Sequence, residues 1–375
     1  MTGRGIEALT LTLHGVTLSL ETDDAAFAAY VSAAMRPYLY PSGAGGSKIV
    51  AELEIIDAAR PSGLQQAFPE AGWSRRPDRD LYMDGNTAYW LRIDDFLDLQ
   101  LRVAYEGGRL VLAGRYYFSI GSGGGLEWLR RLRHRGRLDA LRAHRFSTLL
   151  YYMVYYPILW WLGRFEGWGQ LHAGAVVSEA GAVLAAGMPG CGKSTLTVAM
   201  SCRQGWEMMS DNLVLFNDRS LLACPELLLL DPASIERIGA AASALEATGE
   251  TRVFGRDAYR PARVHLDPAP LRAVLVVGRG KATEIIRIDE AECVRRILAG
   301  NLMAKELRRS AIMAGVMDLV AATAAECPQR RLERLVAGLP CFALWVGPDD
   351  DPASVVRTTV APALETRRVR QAGTE

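Results

Sequence analysis

Between residues 1 and 57, apolar and polar positions alternate with the two-residue period of strands over 8–13 and 16–20, and His14-Gly15 sits between them as a tight turn. Thr22, Asp23 and Asp24 are N-capping residues ahead of an alanine-rich run, which predicts a helix over 25–39. A Pro-Ser-Gly connector at 41–47 then leads to a strand over 48–56. From 73 to 119 strand patterning dominates. Runs 81–83 and 87–93 flank Asp84-Gly85-Asn86, and runs 96–105 and 109–120 flank Glu106-Gly107-Gly108, so two hairpins are predicted. Glycines at 121 and 123–125 break the pattern, and an arginine-rich helical stretch comes next at 130–145, read as a solvated face.

The run 146–162 is apolar and aromatic, but it is short for a bilayer and contains Pro157 and four tyrosines. It predicts a buried helix kinked at Pro157 that joins two domains, with no membrane span; a subunit interface is the alternative use of its aromatic surface. Beyond it, 171–177 and 182–186 are apolar strands separated only by Ser178-Glu-Ala-Gly181. Four residues are too few for a crossover helix, so the two strands form an antiparallel hairpin. His172 stands near the start of that hairpin. Next come a helix over 194–203, strands over 206–210 and 213–216, and further strands over 227–230, 271–277 and 342–346, with helices over 289–304 and 308–325. The polar, arginine-bearing segment 240–264, with Arg252, Arg256, Arg260 and Arg263, is read as a flap. The domain plan is an N-terminal α+β domain for substrate or partner binding (1–143), an aromatic linker helix (144–167), a phosphate-loop domain (168–365) and a frayed tail (366–375).

Composition narrows the function. The formal net charge of +1 supplies no basic excess for phosphate contacts, so nucleic acid is not an expected partner. The six cysteines show no C-x-x-C pair and no histidine cluster, which points to reduced thiols in a cytoplasmic protein rather than to zinc or disulfides. No apolar signal segment opens the chain.

The chemistry concentrates in Gly187-Met-Pro-Gly-Cys-Gly-Lys-Ser-Thr195, which fits G-x-x-x-x-G-K-[ST] between a strand and a helix. Gly187, Gly190 and Gly192 let the backbone turn its N–H groups inward, and Pro189, Cys191 and Thr195 complete the loop. Cys191 is read as a small loop-filling side chain. Lys193 supplies a positive charge for the outer phosphates of ATP, and Ser194 is suited to Mg²⁺. Asp211, at the end of the strand after the loop helix, is the best carboxylate for general base or Mg²⁺ work. Asn212 beside it offers only a neutral oxygen ligand, and His172 is a candidate phosphate donor or partner of Asp211.

Taken together, Leu171-His-Ala, Gly187-x-x-Gly-x-Gly-Lys-Ser and Gly205-Trp-x-x-x-Ser-Asp-Asn resemble the catalytic core of the HPr kinase/phosphorylase superfamily. The match is to its HPr-kinase-related branch, found near peptide-modification genes and including lasso-peptide precursor kinases. The resemblance covers 168–235 and, more faintly, extends to 280. It implies an α/β phosphate-loop kinase core of the HPr kinase/phosphoenolpyruvate carboxykinase type, a mixed sheet with flanking helices. It also implies transfer of the terminal phosphate of ATP, with Mg²⁺, to a serine or other hydroxyl of a peptide or small protein. By motif position His172 matches the family histidine, Lys193 and Ser194 the phosphate and Mg²⁺ ligands, and Asp211 the base. Family members often assemble, so a homo-oligomer is compatible with it. Two departures stand out: the family usually has adjacent acids where this chain has Asp211-Asn212, and its bifunctional enzymes follow the histidine with glycine rather than Ala173. The alternatives are a non-catalytic nucleotide-binding regulatory or assembly protein, which Asn212 favours, and a kinase of a small-molecule hydroxyl.

Overall fold

The computed structural model describes residues 5–40, 46–57, 74–75, 80–93, 96, 98–118, 135–251, 256–324 and 326–360. The predicted glycine break at 121–125, the start of the arginine-rich stretch, Arg252 and the C-terminal tail lie outside the described residues. The chain divides into two compact units, 1–166 with 309–325, and 167–308 with 326–375. Both are mixed α/β, with sheets flanked by helices.

The first unit is built on one sheet in the order β3-β1-β2-β4-β9-β8-β7-β6-β5. Its strands are β1 (Glu7–Leu13), β2 (Val16–Thr22), β3 (Leu39–Tyr40), β4 (Ile49–Ile56), β5 (Ser74–Arg75), β6 (Leu81–Asp84), β7 (Thr87–Trp90), β8 (Leu99–Glu106) and β9 (Arg109–Tyr117). The period-two reading holds here: Ile49, Ala51, Leu53 and Ile55 are buried while Glu52 and Glu54 face solvent. Asp24 caps α1 (Ala25–Ala34) by accepting the Phe27 N–H at 2.8 Å. The helix stops short of residue 39 because Pro37 disfavours helical geometry at the residue before it, and a 3₁₀ turn over Arg36–Tyr38 takes over.

The aromatic run does not kink as a simple proline break. α2 (Arg135–Leu150) passes through a π-helical turn, Tyr151–Tyr155, into α3 (Tyr156–Phe165), which holds Pro157 in its first turn. Leu150, Tyr155 and Tyr156 all keep helical geometry, so the run is continuous and the widened turn just before Pro157 absorbs the register change. Phe96 stacks against Tyr116 and Tyr152 at centroid distances of 5.1 and 6.1 Å. Asp318, in the returning segment 309–325, accepts from Trp160 Nε1 at 2.8 Å, from the Arg164 guanidinium and from Thr323 at 3.0 Å. Among the described residues no helix is long and apolar enough to cross a membrane.

The second unit opens with β10 (Gly169–Ser178) and β11 (Gly181–Ala186), an antiparallel hairpin as the short connection requires. After α4 (Lys193–Ser201) come β12 (Trp206–Ser210), β13 (Leu213–Phe216) and β14 (Ser220–Ala223). The free edge of β10 is shared: residues 169–172 pair with β13 and residues 175–178 with β12. Next in the chain are β15 (Leu228–Leu230), α5 (Pro232–Ile238), β16 (Leu245–Thr251) and β17 (Asp257–Pro261). The segment read as a flap is thus largely strand, forming a three-stranded sheet in the order β15-β17-β16. β18 (Ala269–Arg279) runs parallel to both β11 and β20 (Cys341–Val346), while β19 (Glu284–Ile288) pairs antiparallel with β20 at the edge. α6 (Glu290–Met303), α7 (Lys305–Ala321) and α8 (Pro328–Val336) lie between β19 and β20, and a short helix over Pro352–Val355 with a π-helical turn over Val356–Val360 follows β20.

Candidate functional site

The hairpin delivers the chain from β11 into the loop at Gly187, and three glycines set the path of the turn. Gly187, Gly190 and Gly192 have φ of 145°, 77° and 99°, a region that L side chains rarely adopt. At Gly187 the requirement is doubled, since a Cβ there would meet the Val277 carbonyl oxygen at 2.3 Å. Met188, Pro189 and Gly190 form the exposed rim, whereas Cys191 turns into the core and fills the space beside Gly187. Gly192 precedes α4 with no side-chain cap, so the first N–H groups of the helix, through Ser194 and Thr195, have no side chain to satisfy them. Such a terminus favours an anion.

Lys193 is buried and its Nζ donates to the carbonyls of Gly187 and Met188, each at 3.0 Å. An ammonium has three donors, so one remains for a ligand. Burial lowers its pKa, and the neighbouring carboxylates of Asp211 and Glu306 oppose that shift. α4 lies close on the hairpin because Gly174 has no side chain: a Cβ there would sit 2.2 Å from Thr197 Oγ1.

Across β10, Asp211 and Asn212 occupy the corner where β12 ends and β13 begins. The corner is pinned on several sides. The Ala173 N–H donates to the Asn212 carbonyl at 3.2 Å, the Leu213 N–H to Glu226 Oε2 at 3.2 Å, and the Cys224 N–H to Ser210 Oγ at 2.7 Å. Asp211 lies by the start of α4, where the neighbouring Ser194 hydroxyl favours its charged form. Its Oδ1 is shut off from solvent and has no hydrogen-bond donor. Burial raises the Asp211 pKa to about 6, against the opposing pull of Ser194 and Lys193.

His172, paired with Leu213, completes the group. Burial and the neighbouring Lys193 lower its pKa to about 4, although Glu306 and bonds to Asn212 favour the charged form. The ring is therefore neutral at pH 7, and its buried Nδ1 has no partner. The His172 N–H donates to Asn301 Oδ1 at 3.1 Å.

The structure thus brings together His172, Lys193, Ser194, Asp211 and Asn212 around the 187–195 loop. Among the described residues, the arginines of the segment read as a flap are not part of that group. Arg263 lines a cavity of about 600 Å³ with Ser178, Ser201, Trp206 and His265, at the end of β10 and α4 away from the loop. Arg260 pairs with Glu246 at 4.0 Å. Sequence reasoning missed Asn301, Glu306, Glu226 and Gly300. A Cβ on Gly300 would come within 2.9 Å of the Gly187 carbonyl oxygen, so α6 ends directly on the loop.

The oxygens of Ser194 and Asp211 are a donor set that fits a hard divalent cation, and the unpartnered Oδ1 leaves coordination capacity. Among the described residues no three His, Cys, Asp or Glu side chains gather at one point. A cation here would take its other ligands from phosphate oxygens and water, the usual way Mg²⁺ is held. The chain matches no protein-family model and no curated protein.

Proposed function

We propose that this protein is an ATP- and Mg²⁺-dependent kinase that phosphorylates a serine or another hydroxyl of a peptide or small protein. The observation that carries the reading is the Asp211 carboxylate, set beside the phosphate-loop Ser194 and left with an unsatisfied buried oxygen. With a pKa of about 6 it is ionised at pH 7 and still basic enough to accept a hydroxyl proton. The acceptor oxygen then forms a bond to the terminal phosphorus, the bond from that phosphorus to the bridging oxygen breaks, and ADP leaves with that electron pair. Lys193 and the first N–H groups of α4 bind and orient the phosphates, and the neutral His172 adds no competing cation. Mg²⁺ held by Ser194 and Asp211 would supply further neutralisation of phosphate charge. The resemblance to HPr-kinase-related proteins over 168–235 supports the same chemistry.

A second reading, a nucleotide-binding regulator, is favoured by Asn212, a neutral side chain that engages His172 beside Asp211. A small-molecule acceptor is a third. Mass spectrometry of candidate peptides incubated with ATP and Mg²⁺ tests the proposal: one added phosphate, lost with Asp211→Asn, is expected. Nucleotide binding without transfer to any acceptor would replace the kinase with the regulator.

A further inference from the structure

We infer that Met188, Leu302 and Met303 form the acceptor-docking rim of this site, and that it takes a peptide carrying an apolar side chain close to an acidic one. The inference rests on the kinase reading above. α6 packs through Cys293, Val294, Ile297 and Gly300, and Ala304 just beyond it is buried too. Leu302 and Met303 fall off that stripe and are 74% and 60% exposed, while Met188 on the loop rim is 46% exposed.

These side chains are not on a loose end. Gly300 is seated against the Gly187 carbonyl, Asn301 is bonded to the His172 N–H, and the Arg308 N–H returns to the Ala304 carbonyl at 3.2 Å. Apolar residues held in fixed positions beside a phosphate loop offer an acceptor a surface from which water is released on contact. The neighbouring charge selects the partner. Lys305 and Arg308 lie one turn apart on α7, both exposed, and among the described residues neither side chain has a hydrogen bond or ion pair. Glu306 between them acts on Lys193 and His172 instead. The rim is therefore apolar on one side and cationic on the next, complementary to an apolar–acidic segment.

The test uses the full chain with ATP, Mg²⁺ and serine peptides whose flanking positions vary among Leu, Ala, Asp and Lys, with phosphate incorporation read by mass spectrometry. Affinity for a fluorescent ATP analogue is measured in parallel for every variant. Peptides flanked by Leu and Asp are expected to show a KM about tenfold below those flanked by Ala or Lys. Leu302→Ala with Met303→Ala raises KM for Leu-flanked peptides, and Lys305→Glu with Arg308→Glu moves the preference from Asp to Lys. An unchanged peptide ranking in both double variants overturns the inference and leaves the kinase reading standing. Weaker nucleotide affinity with unaltered peptide KM assigns the rim to the nucleoside and also overturns it. No transfer to any peptide, with nucleotide binding intact, removes the kinase reading and this inference with it.

Discussion

Two aspartates in this chain are treated in opposite ways. In the first unit, Asp318 accepts from Trp160, Arg164 and Thr323; burial alone would raise its pKa, but these bonds hold it below the usual carboxylate value. In the second unit, Asp211 is buried with an oxygen that has no donor, and its pKa rises to about 6 although Ser194 and Lys193 pull it down. A saturated carboxylate is a fixed ion that fastens elements together. An undersaturated one keeps its basicity and its room for a further ligand, which is what chemistry at a hydroxyl needs.

The sharpest way to break this contrast is Asp211→Asn. In the kinase reading it lowers phosphate transfer by about a thousandfold, by mass spectrometric rate, without loss of stability in a denaturant melt. Asp318→Ala should do the reverse, costing about 3 kcal/mol in unfolding free energy, since it leaves the Arg164 guanidinium partly buried and unpaired. Should either variant behave like the other, the contrast fails. Gly174→Ala is smaller in effect: the added methyl pushes Thr197 and α4 away from β10, for a stability loss of about 2 kcal/mol and weaker nucleotide binding.

The subtlest expectation concerns pH. Asp211 has a folded pKa above its unfolded value, so its contribution is present below about pH 4 and lost as pH rises towards 6. His172 has a folded pKa below its unfolded value, so its contribution is present above about 6.5 and lost as pH falls towards 4. Between pH 4 and 6 the two oppose each other. Stability of the parent chain should be nearly flat there, falling towards acid in Asp211→Asn and rising towards acid in His172→Gln, by denaturant titration at each pH. Transfer activity should rise with pH through about 6 as Asp211 ionises.

How far the sequence reveals this site depends on the range of each interaction. The loop was legible because glycine geometry is local: Gly187, Gly190 and Gly192 all have positive φ. The hairpin was legible because four residues cannot hold a crossover, and the meeting of Asp211 with the loop helix then comes from strand order. Asn301 and Glu306 were not legible, because a long stretch of chain separates them from His172 and no local pattern marks them. β19 escaped notice because its alternating face is barely buried at the sheet edge. The segment 240–264 looked like a flap since its polar strands β16 and β17 satisfy each other and present little apolar period.

The grip of Lys193 on the carbonyls of Gly187 and Met188 also bears on the thermodynamics of binding. Those two bonds brace the loop from within the protein, which limits the conformational entropy left to lose on binding. Calorimetric titration with a nucleotide should then show a modest heat-capacity change and an affinity set by electrostatics, falling steeply as salt is added.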